Sequence, residues 1–278
     1  MTRSAAVARL LLVVLPTVAC STTAPSAPVA TETSPTRVAS AAASAGAAPE
    51  LLIPVSATRH AQPPMSARYS TPLVADHCAD RDLAAPSVMD PVLTVLDRSY
   101  ALPRDVVPPD LVQASMAGLD GASGTKLVRD AVVPDLRDMH AAWQAAGLTI
   151  VMESAYRSFE EQAATFEDWA ARIGHDGALV RTARPGHSEH QLGTAIDVTS
   201  PGWSGRFGDW AIESAEGAWM AAHAWEYGFV MSYPADGQDD TCYGYEPWHY
   251  RWIGREAAAQ HRHSGLTLRR FLERYVTS

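Results

Sequence analysis

The chain has 278 residues, 47% hydrophobic and 19% charged, with 22 Lys and Arg against 31 Asp and Glu and a formal net charge of −9. That length suffices for one good core or two small ones. No basic cluster is present, which excludes nucleic-acid binding as the main role, because phosphate contacts need Lys/Arg patches.

Arg3 and Arg9 precede the apolar run 10–15 and the stretch "PTVAC". A basic start, a short apolar core and small residues at its end predict a secretory signal over residues 1–19, too short to span a membrane. A buried N-terminal helix is the alternative, and Pro16 would end it abruptly. The "VAC" ending is similar to a bacterial lipobox, with Thr17 where that pattern prefers leucine, so Cys20 is the expected lipidation site. Otherwise Cys20 is a free thiol or leaves with the signal. Only Cys78 and Cys242 then remain, an even pair suited to one disulfide outside the cytoplasm, with two separate buried thiols as the alternative. Losing residues 1–19 removes two arginines and no acid, which takes the charge from −9 to −11.

Residues 20–65 are rich in Ala, Ser, Thr and Pro and cannot bury enough apolar surface to order themselves. They read as a tether with an end-to-end distance of roughly 35–40 Å. No later hydrophobic run is long enough to cross a bilayer.

A single globular domain is expected over residues 66–278. "PVLTVLDRSYALPRDVVPPDLV" reads as a short strand and a proline-punctuated loop. Val132, Leu136, Met139 and Trp143 form a helical stripe, with Gly147 as its stop. "LTIVMESAYRS" reads as a strand. Ser158 and Glu161 open a helix whose apolar face is Phe159, Ala163, Phe166 and Ala170. Residues 193–198 form a second strand, and a helix over about 213–227 stops at Gly228. "FVMSYP" and "EPWHYRWIG" read as strands, and a final helix begins near Arg255. Helices and strands mix without βαβ alternation, which predicts an α+β fold with a small central, mostly antiparallel sheet flanked by helices.

Three segments carry the chemistry: "SAYRS" (154–158), "SEHQLGTAID" (188–197) and "EPWH" (246–249). His190, Asp197 and His249 have the donor types of a zinc site, and three protein ligands plus water is the usual catalytic arrangement. Glu246 would then be the unligated carboxylate that takes a proton from the water. Each residue also has an ordinary reading, as a structural histidine, a strand-end carboxylate or a surface pair. Spacing does not separate His187 from His190 as the ligand. Pro247 biases Glu246 to extended backbone, and residues i and i+3 of an ideal strand face opposite ways. Glu246 and His249 therefore share a site only if this segment twists or begins in a loop. His60, His77, His140, His175, His223, His261 and His263 show no partner pattern and read as structural.

Taken together, "YRS" with Gln162, "PGHSEHQLGTAIDV", "GFVMSYP" and "EPWHYRWIG" resemble the VanY-type D-alanyl-D-alanine carboxypeptidases, a zinc metallopeptidase family. "LPRDVVPPDL" (102–111) is similar to the proline-rich start of the same family, and the likeness runs from about residue 90 to 255. It implies His190, Asp197 and His249 as zinc ligands, Glu246 as catalytic base and Arg157 as the oxyanion-stabilising cation. It also implies Ser188, Gln162 and Tyr233 as substrate contacts. Family members often carry arginine before that tyrosine, where this chain has Ser232. The resemblance implies a zinc D,D-carboxypeptidase; the signal and the lipobox-like Cys20 add the expectation that it is exported and lipid-anchored, at the outer face of the cytoplasmic membrane or in the cell wall. Its substrate would be the C-terminal D-alanine of peptidoglycan stem peptides. The alternatives are an L,D-carboxypeptidase or an endopeptidase on the same ligands, and a non-catalytic wall-binding lipoprotein.

Overall fold

The computed structural model describes residues 76–276 apart from residue 89. The expected signal over 1–19, Cys20, the tether over 20–65 and the start of the globular part at 66 lie outside the described residues. Four short strands make the central sheet: β1 (Val151–Ser154), β2 (Ala195–Thr199), β3 (Phe229–Met231) and β4 (His249–Trp252). They run in the order β1-β2-β4-β3. Every neighbouring pair is antiparallel, so the fold is α+β as the sequence predicts.

The two faces of this sheet differ, and the difference positions the site. Side chains alternate along a strand, and the register pairs Ile196 with Tyr250 and Asp197 with His249. One face therefore presents Met152, Ile196, Val198, Phe229 and Tyr250, all within one apolar core. The other face presents Asp197, His249 and Arg251. Sharing the core of the apolar face are α1 (Val133–Ala145) and residues of the helices Ala215–His223 and Arg255–Ser264. The predicted stripe is the buried one: Val132, Leu136 and Met139 are fully buried and Trp143 nearly so. Truncating such a residue to Ala typically costs about 2–5 kcal/mol.

The helix α2 (Phe159–Ile173) begins at a capping box, with the Ser158 hydroxyl accepting from Glu161 N and the Glu161 carboxylate accepting from Ser158 N. It packs on α3 (His175–Arg181) through a separate small cluster of Phe166, Ala178 and Leu179. The helix expected over about 213–227 starts at Ala215, continues as 3-10 backbone over Ala224–Tyr227 and stops at Gly228 as predicted. Ser214 leaves helical backbone, and its hydroxyl accepts from Gly217 N, which starts α4 (Ala215–His223) anew after the short turn Trp210–Glu213. A Cβ on Gly217 would lie 2.4 Å from Trp210 O, so this tight joint needs glycine. Downstream are α5 (Arg255–Ser264) and α6 (Leu268–Leu272).

Two small sheets add to the centre: Leu83–Ala84 with Tyr100–Ala101 in parallel, and Leu111–Gln113 with Leu127–Arg129 antiparallel. Cys78 and Cys242 form a disulfide across 164 residues, with Cα atoms 5.3 Å apart. Among the described residues no helix is long and apolar enough to cross a membrane.

Candidate active site

The polar face of the sheet carries two of the three proposed ligands directly. Asp197 on β2 and His249 on β4 are cross-strand partners, so their side chains rise from the same face side by side. His190 arrives from the short 3-10 turn Glu189–Leu192, which Ser188 caps by accepting from His190 N at 3.4 Å. That turn ends at Gly193 (φ +71°), where a Cβ would lie 2.9 Å from the Leu111 side chain. Only a residue without a side chain both adopts this backbone and fits the gap.

The Asp197 carboxylate sits between the two imidazoles. Oδ2 is 3.1 Å from His190 Nε2, and Oδ1 is 3.0 Å from His249 Nδ1. The ligand atoms of all three lie within 4.8 Å of one another. A tetrahedral ion with bonds of about 2.0–2.1 Å holds its donors roughly 3.3 Å apart. The trio is therefore already near that spacing, and two imidazoles with one carboxylate are a suitable zinc donor set. Burial and the nearby Arg157 push the His190 pKa down despite Asp197, which keeps the ring neutral as a ligand must be. Burial opposes ionisation of Asp197, yet the two imidazoles hold its pKa far below the usual carboxylate range. Burial also opposes charge on His249, but bonds to Asp197 and Glu189 push its pKa up to about 10.

His187, the competitor of His190, is engaged elsewhere. Its Nδ1 lies 2.7 Å from Asp97 O and its Nε2 3.1 Å from an Asp82 carboxylate oxygen. Both nitrogens are thereby used, and the ring is fully buried.

Glu246 reaches the site because β4 begins only at His249. The Glu246 carbonyl accepts from His249 N at 3.1 Å, which closes a turn around Pro247 and Trp248. Pro is favoured at the second position of such a turn. The alternation that would have turned Glu246 away from His249 never applies. Glu246 is half-buried, and burial, helped by Asp197, pushes its pKa up to about 7 against the pull of His249, Arg157 and Arg181. A carboxylate poised there suits proton transfer at neutral pH. Arg157 follows β1, is fixed by its backbone N–H to His190 O, and acts electrostatically on both His190 and Glu246. Its Nε is buried without a hydrogen-bond partner.

The other expected contacts have partners of their own. Gln162 is almost fully buried and donates to Ala183 O at 2.6 Å and to the Thr182 hydroxyl at 3.2 Å. The Tyr233 ring lies 5.0 Å from that of His249 and 5.1 Å from that of Tyr243. Burial and the charge of Glu189 push its phenol pKa well above 10, so it stays a donor. Ser232 points inward, and its hydroxyl donates to Glu189 at 2.5 Å. Sequence reasoning passed over Glu189, which is 4% exposed and bonded to His249, Ser232 and Arg251.

A cleft that gathers two imidazoles, ionised carboxylates and an arginine without a side-chain acceptor spends far more charge than packing requires. Such an arrangement suits amide hydrolysis, and the class it defines is a hydrolytic peptidase. Comparison with known proteins narrows the class. The sequence profile of VanY, D-alanyl-D-alanine carboxypeptidase, matches residues 125–255. YodJ of Bacillus subtilis (strain 168), whose name assigns it provisionally to the carboxypeptidases, is 32% identical over 184 residues, 66% of this chain and 67% of YodJ. Of two enterococcal D-alanyl-D-alanine carboxypeptidases, the matched region spans 54% and 36%. The LdcB LD-carboxypeptidase structure superposes with a TM-score of 0.60 at 29% identity, covering 69% of this chain and 95% of LdcB. A zinc-bound variant of the VanY D,D-pentapeptidase from the VanB-type resistance cassette gives 0.55 at 28% identity, covering 66% and 99%. The chain belongs to the VanY D-alanyl-D-alanine carboxypeptidase family.

Proposed function

We propose that this protein is a zinc-dependent D,D-carboxypeptidase that removes the C-terminal D-alanine from peptidoglycan stem peptides. The observation that carries the reading is the His190–Asp197–His249 cluster at metal-ligand spacing, with Glu246 beside it and bonded to none of the three through its side chain. Zinc held by these three would polarise the scissile carbonyl and acidify a water molecule. Glu246 takes the proton of the attacking water and returns it to the departing D-alanine amine, so the base is regenerated. Arg157 offers its guanidinium to the oxyanion that develops on the former carbonyl oxygen, a contribution typically about 3–4 kcal/mol per key donor in other enzymes. Tyr233 stays protonated next to His249 and supplies a hydrogen-bond donor, and the family likeness makes Ser188 and Gln162 further substrate contacts. The basic start, apolar run and "VAC" ending at Cys20 support export and lipid anchoring at the outer face of the membrane.

A second reading has specific support. The LdcB LD-carboxypeptidase superposes at least as well as the VanY enzyme, and the same catalytic groups would serve an L,D bond on a tetrapeptide stem. Mass spectrometry of muropeptides before and after incubation with the zinc-loaded protein separates the two. Conversion of pentapeptide to tetrapeptide stems is expected. Conversion of tetrapeptide to tripeptide alone would establish the second reading, and no change in either would contradict both.

A further inference from the structure

Glu189 precedes a proposed ligand in sequence and lies behind another in space. Its Oε2 is 2.9 Å from His249 Nε2 and accepts from the Ser232 hydroxyl at 2.5 Å. Its Oε1 accepts from Arg251 Nη1 at 2.8 Å. Arg251 is itself fully buried, and its Nη2 donates to the carbonyls of Val92 and Thr94, each at 2.7 Å. The sheet explains the assembly. His249 and Arg251 are two apart on β4, so the pleat sends both to the polar face. Glu189 enters between them from the turn that also carries His190.

The bonds on Glu189 are divided between its two oxygens. An ion pair that served only to neutralise Arg251 would need Oε1 alone. Oε2 is spent on Ser232 and on the far nitrogen of His249. When His249 gives up one proton to bind a metal, retention of the Nε2 proton against the Glu189 carboxylate confines the lone pair to Nδ1, the nitrogen that faces Asp197. His190 is locked the other way round. Its Nδ1 lies 2.6 Å from Ala155 O, which can only accept, so Nε2 is the nitrogen left free toward Asp197. The two histidines thus present opposite nitrogens to one point, each with its outer nitrogen tied to an acceptor. One acceptor is a neutral carbonyl and the other an anion, and an anionic acceptor makes the imidazole the stronger ligand.

We infer that Glu189 is a positioning residue: held by Ser232 and Arg251, it fixes the tautomer and ring orientation of His249 and so sets the affinity of the trio for its metal. The inference rests on the zinc reading above. It also gives Ser232, which departs from the arginine common in the family, a task behind the site rather than at its mouth.

The test uses the folded, zinc-loaded wild-type protein with 15N-labelled histidine. Long-range proton–nitrogen correlation should show His249 protonated at Nε2, with a slowly exchanging proton, and His190 protonated at Nδ1. A His249 proton on Nδ1 overturns the inference whatever any variant does. Chelator competition then compares zinc affinity in wild type and Glu189→Gln, where a loss of about 10–100-fold is expected. Wild-type affinity in a folded Glu189→Gln protein would also overturn it. Should that variant fail to fold because Arg251 is left buried without its anion, Ser232→Ala keeps both charges and should still weaken zinc several-fold. Unchanged affinity there, with the variant folded, counts against the inference. A wild-type protein that binds no zinc at all contradicts the underlying function instead, so the two failures are distinct.

Discussion

The two halves of the cleft are built differently. The half that carries His249 and Asp197 stands on adjacent strands in fixed register, and behind it Glu189 accepts from Ser232 and Arg251 out of contact with water. The half that carries Glu246 and Arg157 stands on loops. Glu246 is placed by one proline turn and by its backbone N–H to Tyr233 O, four residues after a disulfide-bonded Cys242. Cys242 itself has φ +67°, a conformation that non-glycine residues adopt only where their surroundings impose it. The contrast teaches a division of labour. Ligands need fixed spacing and a fixed ring orientation, which adjacent strands and the buried groups behind them give. A proton-transfer group must be held beside the substrate, which here falls to a turn and a disulfide-pinned loop rather than to strand pairing.

The sharpest way to break that division is to remove a ligand. Asp197→Ala takes away the carboxylate between the two imidazoles, and elemental analysis should find the zinc content fall from about one per chain to near zero, with turnover lost. His187→Ala should leave the metal in place, since both nitrogens of that ring are bonded elsewhere.

The loop half should fail in the opposite manner, losing rate but not metal. Glu246→Gln should keep about one zinc and lower kcat by roughly 10²–10⁴-fold, the usual worth of a positioned general base. Arg157→Ala should lower kcat more than it raises KM, because the oxyanion exists only along the reaction path. Steady-state kinetics with zinc quantified in the same samples checks both. Near-normal kcat in Glu246→Gln would remove its assigned role.

A smaller effect is expected from untying the loop. Cys78→Ser opens a link across 164 residues, for which the chain-entropy model allows up to about 5 kcal/mol. Thermal melting should drop by at most roughly 10–20 °C. The rate should fall while zinc affinity holds, because the freed segment carries Glu246, whereas Asp197 and His249 stay paired across their strands.

The smallest effect lies far from the cleft, in the helical layer. His261 packs edge-on against Phe271 with ring centres 5.4 Å apart. Burial, helped by Arg262 and Arg274 and opposed by the backbone at Leu266, pushes its pKa down to about 4. The unfolded chain, near 6.5, takes the proton first as pH falls. This contribution to stability is therefore complete above about 6.5 and is lost progressively down to about 4. Denaturant unfolding of His261→Gln across that window should show a flatter pH dependence than wild type.

Much of this was legible in the sequence for reasons the structure makes plain. The stripe through Leu136, Met139 and Trp143 is long enough to show its period, and the Ser158–Glu161 box marks its helix locally. The proposed ligand trio was legible as residue types, but that His190 rather than His187 would lie beside Asp197 was not. That choice depends on Asp82 and Asp97, about 90–105 residues upstream. The turn at Pro247 was readable only as a conflict between spacing and strand geometry. Glu189 and Arg251 were missed because a charged residue beside a motif looks like ordinary surface; the sheet register turns Arg251 inward, and the turn Glu189–Leu192 brings Glu189 to it. The helices α3 and α6, of seven and five residues, are too short for any periodicity to appear.

Whether His190, Asp197 and His249 are the metal site is tested most directly by anomalous diffraction at the zinc absorption edge. Crystals of the zinc-loaded protein should show one strong peak per chain, bounded by His190 Nε2, Asp197 and His249 Nδ1. A peak at His187 and Asp82, or at the His77–Cys78–Cys242 cluster, with none at the trio, would contradict it.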